Sequence, residues 1–309
     1  MGMDVSAGGH LEAVWLNGLG FMVSPLTWLA LAFGSLIGSF LNVCVYRIPE
    51  GTFWSHARSV CRTCGGQIPA WLNVPIFSWI LLRGRTRCCG ARLSPQYPLV
   101  EGFTAIMFAV IYWKFPFIGN FGDGIVGFDA ANAIRAGHAA VFTCLMVVCS
   151  VIDLRHMIIP DVISIPMVIL TPAVVYLHPD LDWQSALIGV VLGGGSLYAV
   201  AWIYWIIRRE VGMGMGDVKL LAGIGGWLGF QAILPTVLFG SVLGAVFGLM
   251  AMFLGSVRSK SKDGEGSEGS GKMTLKTALP FGPFLAIGAL MHLFMGFYLR
   301  EFMMGLGGT

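Results

Sequence analysis

Two aspartates beside apolar stretches are the residues most able to do chemistry. Asp217 follows the glycine-rich run 212–216, and Asp153 closes an apolar segment. An ionisable residue next to the bilayer core is costly, so each is a functional-site candidate. Two carboxylates brought together share a proton, and such a pair can deprotonate a water molecule while protonating a peptide carbonyl. The alternative for Asp153 is an interfacial acid paired with Arg155 or His156.

The glycines around Asp217 predict how a substrate would reach it. Gly214 and Gly216 have no Cβ, so an extended peptide could lie close to the backbone here. Two charged neighbours are candidates for a supporting role. Asp161, at a helix start, is expected to act structurally or to support the aspartate pair. Lys219 would either adjust the charge of the pair or extend its ammonium group to the membrane surface.

Four cysteines lie in one polar loop with the spacing of a metal site. Cys61-Arg62-Thr63-Cys64 places two thiolates two residues apart, and the glycines that follow allow the tight turn around a tetrahedral ion. The second half-site is Thr86-Arg87-Cys88-Cys89, where a full pair would have a cysteine in place of the threonine. The spacing predicts a structural zinc site with Cys61, Cys64 and Cys89 as ligands.

The sequence leaves the fourth ligand open. Adjacent cysteines seldom both bind one ion without backbone strain, so Cys88, His56 or water would complete the shell. Free or redox-active thiols are the alternative, whereas a structural disulfide is disfavoured in a cytoplasmic loop. A bound ion would fold a loop that has little core of its own. The other three cysteines lie in apolar segments and are expected to be small buried hydrophobic residues: Cys44, Cys144 and Cys149.

The elements that must position these residues are membrane helices. Hydrophobic residues make up 56% of the 309 residues and charged residues only 11%, against roughly a quarter charged in soluble proteins. The composition predicts an all-α polytopic membrane protein, and the net charge of +3 does not indicate a nucleic-acid partner. Eight apolar segments approach the about 20 residues that a spanning helix needs: 25–46, 98–113, 136–152, 162–178, 184–207, 218–231, 234–257 and 280–302. Pro235 is expected to mark the boundary between the sixth and the seventh.

The distribution of Lys and Arg predicts the orientation of these segments. Eight spans place the loops 47–97, 153–161, 208–217 and 258–279 in the cytoplasm, and only three of the 19 basic residues fall on the other side: Lys114, Arg135 and Arg300. Both aspartates then lie at the cytoplasmic face, and both termini lie outside the cytoplasm. The first 24 residues contain no Lys or Arg, so the first apolar segment is expected to remain as an anchor.

Several motifs, in the right order, resemble the bacterial type IV prepilin peptidases, a family of Gly-x-Gly-Asp aspartic membrane proteases. The resemblance covers nearly the whole chain, through the stretches 34–43, 46–49, 71–79, 97–101, 214–220 and 280–284. Asp153 and Asp217 fall where the catalytic aspartates of that family lie. The chain departs from the family at Thr86, where the second cysteine pair would begin.

The resemblance implies an enzyme of the bacterial inner membrane, with its active site facing the cytoplasm. Such enzymes remove the basic leader from prepilins and type II secretion pseudopilins, after a glycine at the membrane boundary. They commonly also N-methylate the new amino terminus with S-adenosylmethionine, whose site no motif here locates. Glu101 matches an acid of the family's amino-terminal half.

The resemblance also suggests a division of the chain. Residues 1–24 would form a periplasmic tail and 25–46 the first membrane helix. A zinc-binding-type cytoplasmic domain would cover 47–97. The membrane-embedded peptidase domain would cover 98–309, with a flexible charged linker at 258–279. The expected partners are prepilins, pseudopilins and the lipid bilayer.

Two other functions remain open at the level of sequence. The chain could be a peptidase without methyl transfer. It could also be a transporter whose buried acids carry protons or metal ions, although that hypothesis explains neither the family motifs nor the cysteine loop.

Overall fold

Apolar helices dominate the chain. The computed structural model describes residues 24–53, 61, 63–67, 69, 74–120, 126–210, 213–260 and 280–306. The predicted amino-terminal tail, His56 and most of the predicted linker lie outside the described residues. The helices, numbered here in chain order, are α1 (Pro25–Glu50), α2 (Phe77–Leu81), α3 (Gln96–Lys114), α4 (Ala130–His156), α5 (Asp161–Ile169), α6 (Thr171–Leu177), α7 (Trp183–Arg208), α8 (Met215–Leu228), α9 (Ile233–Lys260) and α10 (Gly282–Leu306).

Four helices are long and apolar enough to cross a membrane. Within the described residues these are α1, α4, α7 and the stretch Phe230–Met250, most of which belongs to α9. They confirm four of the eight predicted segments as candidate spans. Large apolar side chains on α7 point away from the protein, including Leu187, Val191 and Ile207 with 66, 62 and 72% of their surface exposed. Such surfaces suit a lipid environment and not water.

Two of the other four predicted segments, the fourth and the sixth, are helical but short or interrupted. The fourth, predicted as one helix over 162–178, is divided into α5 and α6 at Leu170. Pro172 supplies the reason, because it has no N–H and its ring clashes with the preceding helical turn. The sixth is the 14-residue α8, which ends at Gly229 with φ +82°. Pro235 therefore does not mark that boundary and lies in the first turn of α9, where a proline is tolerated.

A small β-hairpin corrects the all-α prediction. Strands β1 (Ile118–Asn120) and β2 (Val126–Phe128) pair antiparallel, with Ile118 opposite Phe128. Pro116 prevents α3 from continuing. The Tyr112 hydroxyl then donates a hydrogen bond to the Ile118 carbonyl at 2.7 Å, which fixes the start of the hairpin.

The described residues form two compact units that divide within α4, between Cys144 and Leu145. In unit 1, α1 packs closely against α3. A Cβ at Gly34 would lie 2.9 Å from the Cα of Ala105, and one at Gly38 would lie 2.7 Å from the Cα of Glu101. Helix α3 can approach so closely only because both α1 positions are glycine.

In unit 2, α8 is the central element and packs against α5 and α7. Leu220, Leu221 and Ile224 are fully buried on it. Gly189 of α7 and Gly225 of α8 touch through their backbones, and a Cβ on either would overlap the carbonyl of the other. This contact fixes the position of α8, whose first turn carries Asp217.

Candidate active site and cysteine cluster

Asp153 lies on the last turns of α4 with only 5% of its surface exposed. Its Oδ2 accepts a hydrogen bond from the backbone N–H of Gly282, at the start of α10, at 3.0 Å. A Cβ at Gly282 would lie 2.7 Å from the same oxygen. A glycine is therefore required for this backbone N–H to reach the carboxylate.

Asp217 lies in the first turn of α8, three residues after Gly214 at the N-cap. Burial, and to a smaller extent the charge of Asp153, raises the pKa of Asp217 to about 6. A carboxyl group with this pKa exchanges its proton near neutral pH. The charge of Asp153 acts on Asp217, and the sharing of one proton between the two carboxyl groups stays a prediction.

Ile159 is the packing residue that brings the two aspartate-bearing backbones together. Its side chain is buried, and it contacts both glycines beside the pair. A Cβ at Gly216 would lie 2.9 Å from the Cβ of Ile159, and one at Gly282 would lie 3.1 Å from its Cδ1. The space left by the missing side chain of Gly216 is thus occupied by Ile159 and not by open solvent.

Gly214 and Gly216 differ in what surrounds them. At Gly216 the absent side chain serves helix-to-loop packing within the protein. At Gly214, which is exposed, the nearest atom to an added Cβ is the Oδ2 of Asp217, 3.9 Å away. The close approach of a substrate backbone therefore stays a prediction. The space for it exists at Gly214 but not at Gly216, where Ile159 fills it.

Asp161 and Lys219 pair with each other. The Lys219 Nζ donates to the Asp161 Oδ1 at 2.7 Å, and the two side chains are 35 and 57% exposed. This bond joins the first turn of α5 to α8. An exposed pair of this kind contributes about 1 kcal/mol or less.

Sequence reasoning missed two residues of this site. Gly282 lies 129 positions from Asp153, and Ile159 is an ordinary apolar residue in a loop. The one available signal was the Pro280-Phe281-Gly282-Pro283 motif, which matched the family without indicating what its glycine does. Neither residue type suggests catalysis by itself, so only the fold identifies them.

The four loop cysteines form a compact cluster. Their sulfur atoms all lie within 4.8 Å of one another, and all four thiols are free. Cys61 and Cys89 are 3.7 Å apart, Cys64 and Cys88 3.3 Å, and Cys88 and Cys89 4.0 Å, measured between Sγ atoms. Four sulfurs at about 2.3 Å from one zinc ion in a tetrahedron would be about 3.8 Å apart. The cluster therefore fits a tetrahedral ion, with Cys88 among the four.

The two halves of the cluster have the same backbone. The Gly65 N–H bonds to the Cys61 carbonyl, and the Gly90 N–H bonds to the Thr86 carbonyl, at 2.8 and 2.9 Å. Cys61 N–H reaches Gly66, and Thr86 N–H reaches Ala91, both at 2.8 Å. Both turn glycines have positive φ, +71° and +70°. Thr86 thus occupies the position equivalent to Cys61, and its hydroxyl lies 3.3 Å from the Cys89 sulfur.

The thiols of the cluster have unequal proton affinities. The backbone N–H groups of Cys64 and Thr63 lower the pKa of Cys61 to about 6. The Thr86 hydroxyl and then the Ala91 N–H lower the pKa of Cys89. At Cys64 the Gly66 N–H lowers the pKa, but the neighbouring sulfurs of Cys88 and Cys61 outweigh it and raise it to about 12. Thiolate is the form that binds metals, and Cys61 and Cys89 are the two thiols whose surroundings favour it.

The fold and sites define a class: a mostly helical membrane protein with a paired-carboxylate site in one unit and a four-cysteine cluster in the other. The comparisons with known proteins agree with this class. Residues 32–115 match the bacterial peptidase A24 N-terminal domain, and residues 140–249 match the type IV leader peptidase family. The chain belongs to the type IV leader peptidase family.

Relatives from several bacteria resemble the chain over most of its length. The prepilin leader peptidase/N-methyltransferase of Xanthomonas campestris is 34% identical over 302 residues, covering 90% of this chain and 92% of that protein. Proteins of the same name from Stutzerimonas stutzeri and Pseudomonas aeruginosa are 32 and 31% identical, covering 88 and 85% of this chain and 92 and 88% of their own. No solved structure matches the chain.

Proposed function

We propose that this protein cleaves the leader peptides of type IV prepilins and type II secretion pseudopilins and N-methylates the new amino terminus. The pairing of Asp153 with Asp217 in unit 2 carries the peptidase assignment. The names of the relatives, which combine both activities, support the second part. A transporter would need neither a buried backbone donor on Asp153 nor a cysteine cluster.

The proposed peptidase mechanism divides the work between the two carboxyl groups. Asp153, whose Oδ2 accepts the Gly282 N–H, acts as general base toward a water molecule. Asp217, with its raised pKa, carries the proton and donates it to the carbonyl oxygen of the scissile bond. The water oxygen adds to the carbonyl carbon, and protonation of the amide nitrogen then releases the mature amino terminus.

We place the protein in the inner membrane with all eight predicted segments in or across the bilayer. The basic loops and both aspartates then face the cytoplasm, where the basic leader of a substrate lies. The short helices α5, α6 and α8 would enter the membrane without each spanning it as a full-length helix. In this arrangement the cut falls at the boundary between the polar leader and the apolar segment of the pilin.

We assign Cys61, Cys64, Cys88 and Cys89 to one structural zinc ion. The thiolates would supply all four ligands of the ion, and the ion would hold together a loop that has few buried apolar residues. Catalysis by the aspartate pair does not pass through this ion.

The peptidase assignment is tested with isosteric variants and purified prepilin in detergent. Asp153→Asn and Asp217→Asn remove the ability to exchange a proton while keeping shape, so each should lower the cleavage rate by at least 1,000-fold, as expected for loss of a general acid or base at the upper end. Asp161→Asn is the matched control, since it breaks only the exposed pair with Lys219. Cleavage by either pair variant within tenfold of the unmodified protein would refute the assignment.

A further inference from the structure

Unit 1 contains a cavity of about 730 Å³ that the peptidase mechanism does not use. Residues of α1, α2, α3 and the cysteine loop line it, among them Asn42, Trp79 and Glu101. Its volume lies within the roughly 300–1,000 Å³ of small-molecule sites. Two buried polar atoms on its wall lack a hydrogen-bond partner among the described residues, and a buried carboxyl group lies beside them.

Asn42 presents an unpaired acceptor to this cavity. Its Nδ2 donates to the carbonyls of Gly38 and Tyr97, at 3.3 and 3.2 Å. Because both partners are acceptors, the amide can have only one orientation. Its Oδ1 is therefore fixed on the other side, buried in a residue that is 2% exposed, with no partner among the described residues. A buried acceptor of this kind is expensive unless a ligand pairs with it.

Trp79 presents an unpaired donor. Its Nε1 is buried and has no hydrogen-bond acceptor in the described part of the chain. The indole rests on Gly84, where an added Cβ would lie 3.0 Å from the ring, and Gly84 has a φ of +67°. The ring is thus held in place by backbone and not by a hydrogen bond of its own.

Glu101 adds a buried negative group. The residue is 6% exposed, and its Oε2 accepts the Ile76 N–H at 2.7 Å. Ile76 has a φ of +58°, which is unfavourable for a β-branched residue, so the chain accepts strain where it gives this bond. Glu101 forms no ion pair within the described residues. A buried carboxylate without a cation suits a positively charged ligand.

We propose that this cavity binds S-adenosylmethionine, an inference that rests on the methyl-transfer part of the proposed function. The positive sulfonium and ammonium groups of this molecule match Glu101. Its amino groups can donate to Asn42 Oδ1, and its carboxylate or ring nitrogens can accept from Trp79 Nε1. Tyr46 and Tyr97, which also line the cavity, stack with ring centroids 5.5 Å apart and offer a flat surface for a purine.

The residues of the cavity have defined roles in the transfer. The neutral amine nitrogen of the mature terminus forms a bond to the methyl carbon as the sulfur–methyl bond breaks, and the bonding electrons return to sulfur. The product is the neutral thioether S-adenosylhomocysteine, and the surplus amine proton passes to water. Glu101 stabilises the bound cation, while Asn42 and Trp79 orient it.

Calorimetry on the full chain in detergent tests the site without relying on turnover. Two probes are used: sinefungin, which carries a cationic amine in place of the sulfonium, and S-adenosylhomocysteine, which is neutral there. Trp79→Phe should raise the Kd of both probes at least fivefold, because each probe loses one hydrogen bond. Glu101→Gln keeps a hydrogen-bond acceptor for the Ile76 N–H. It should raise the Kd of the cationic sinefungin at least tenfold and that of S-adenosylhomocysteine by less. Trp113→Phe on the exposed face of α3 and Glu210→Gln after α7 are the matched controls.

The outcomes separate this inference from the proposed function. Unchanged binding of both probes in Trp79→Phe and Glu101→Gln, with elution and melting like the unmodified protein, would overturn the site. If Glu101→Gln did not fold, Trp79→Phe would decide alone. Mass spectrometry of cleaved pilin gives the methylated fraction, which should fall in both variants. Probe binding without any prepilin cleavage by the unmodified chain would instead refute the proposed function and leave the site standing.

Discussion

The two aspartates are held differently, and the proposed mechanism uses that difference. Asp153 is almost fully buried, and its carboxylate accepts a backbone hydrogen bond from Gly282. Asp217 lies half-buried, with a pKa raised to about 6 by burial and then by the charge of Asp153. In the proposed mechanism Asp217 is therefore the proton carrier and Asp153 the proton acceptor.

This assignment predicts the pH dependence of cleavage. If Asp217 must be protonated, the protonated fraction is high below its pKa and falls as pH rises through it. The kcat/KM for a prepilin peptide should therefore decline above about pH 6, by tenfold per pH unit at the limit. Asp153, the charged group facing Asp217, would set the acid limb at lower pH. The measurement is a pH series in detergent, with Glu210→Gln as a charge-matched control. A rate that rises steadily from pH 6 to pH 8 would reverse the roles of the two aspartates.

At the scale of elements, the second turn of the cysteine loop brings a thiol into the cluster from a different position than the first turn does. The two six-residue turns share two equivalent backbone hydrogen bonds, but only the first has cysteines at its first and fourth positions. In the second turn Cys88, at the third position, reaches the cluster instead, 3.3 Å from Cys64. The sequence could not decide between Cys88, His56 and water, because this outcome depends on side-chain direction.

Placing a cysteine at position 86 tests the proposal that Cys88 is a zinc ligand. Cys88→Ser leaves three thiolates and should release zinc to EDTA at least tenfold faster than the unmodified protein. Adding Thr86→Cys to that variant should restore slow release, because position 86 is equivalent to position 61. The spectrum of the cobalt-substituted protein reports the number of thiolate ligands independently. Cys144→Ser, in an apolar helix, is the control. Equal release rates for Cys88→Ser and the unmodified protein would mean that Cys88 is not a ligand.

The close contact between α7 and α8 predicts that a larger side chain at Gly189 lowers both stability and cleavage. Gly189→Ala would place a methyl group onto the carbonyl of Gly225 and separate the helices. Overpacking of this kind costs about 1–3 kcal/mol or more. Because α8 carries Asp217, cleavage should fall at least tenfold and the melting temperature in detergent should drop. Gly195→Ala on the same helix meets no atom within 4 Å and is the matched control. Equal melting temperatures for the two variants would show that the contact can relax.

For the molecule as a whole, composition and charge predicted the features that depend on local chemistry, namely the apolar helices and the two aspartates. Apolar segments gave α1, α4, α7 and α9, and the cost of an acid beside them selected Asp153 and Asp217. What depends on distant contacts was not predictable. The Gly282 donor, the Ile159 contact and the orientation of Asn42 each arise from packing between residues far apart in sequence or without a chemical signature. The break at Leu170 was missed because apolarity outweighed two prolines in the pattern.

The last prediction concerns the orientation of the chain in the membrane, and the two ends of α7 provide sites at which to test it. This helix is a candidate span whose two ends carry the exposed residues Asp180 and Glu210 just beyond them. The positive charges predict that Asp180 lies outside the cytoplasm and Glu210 inside it. Asp180→Cys should therefore react with a membrane-impermeant maleimide in spheroplasts, and Glu210→Cys only after lysis. The unmodified protein gives the background from its own cysteines. The reverse pattern would place the aspartates on the outer face, away from any cytoplasmic leader. Labelling of both positions in spheroplasts would show that α7 does not cross the membrane.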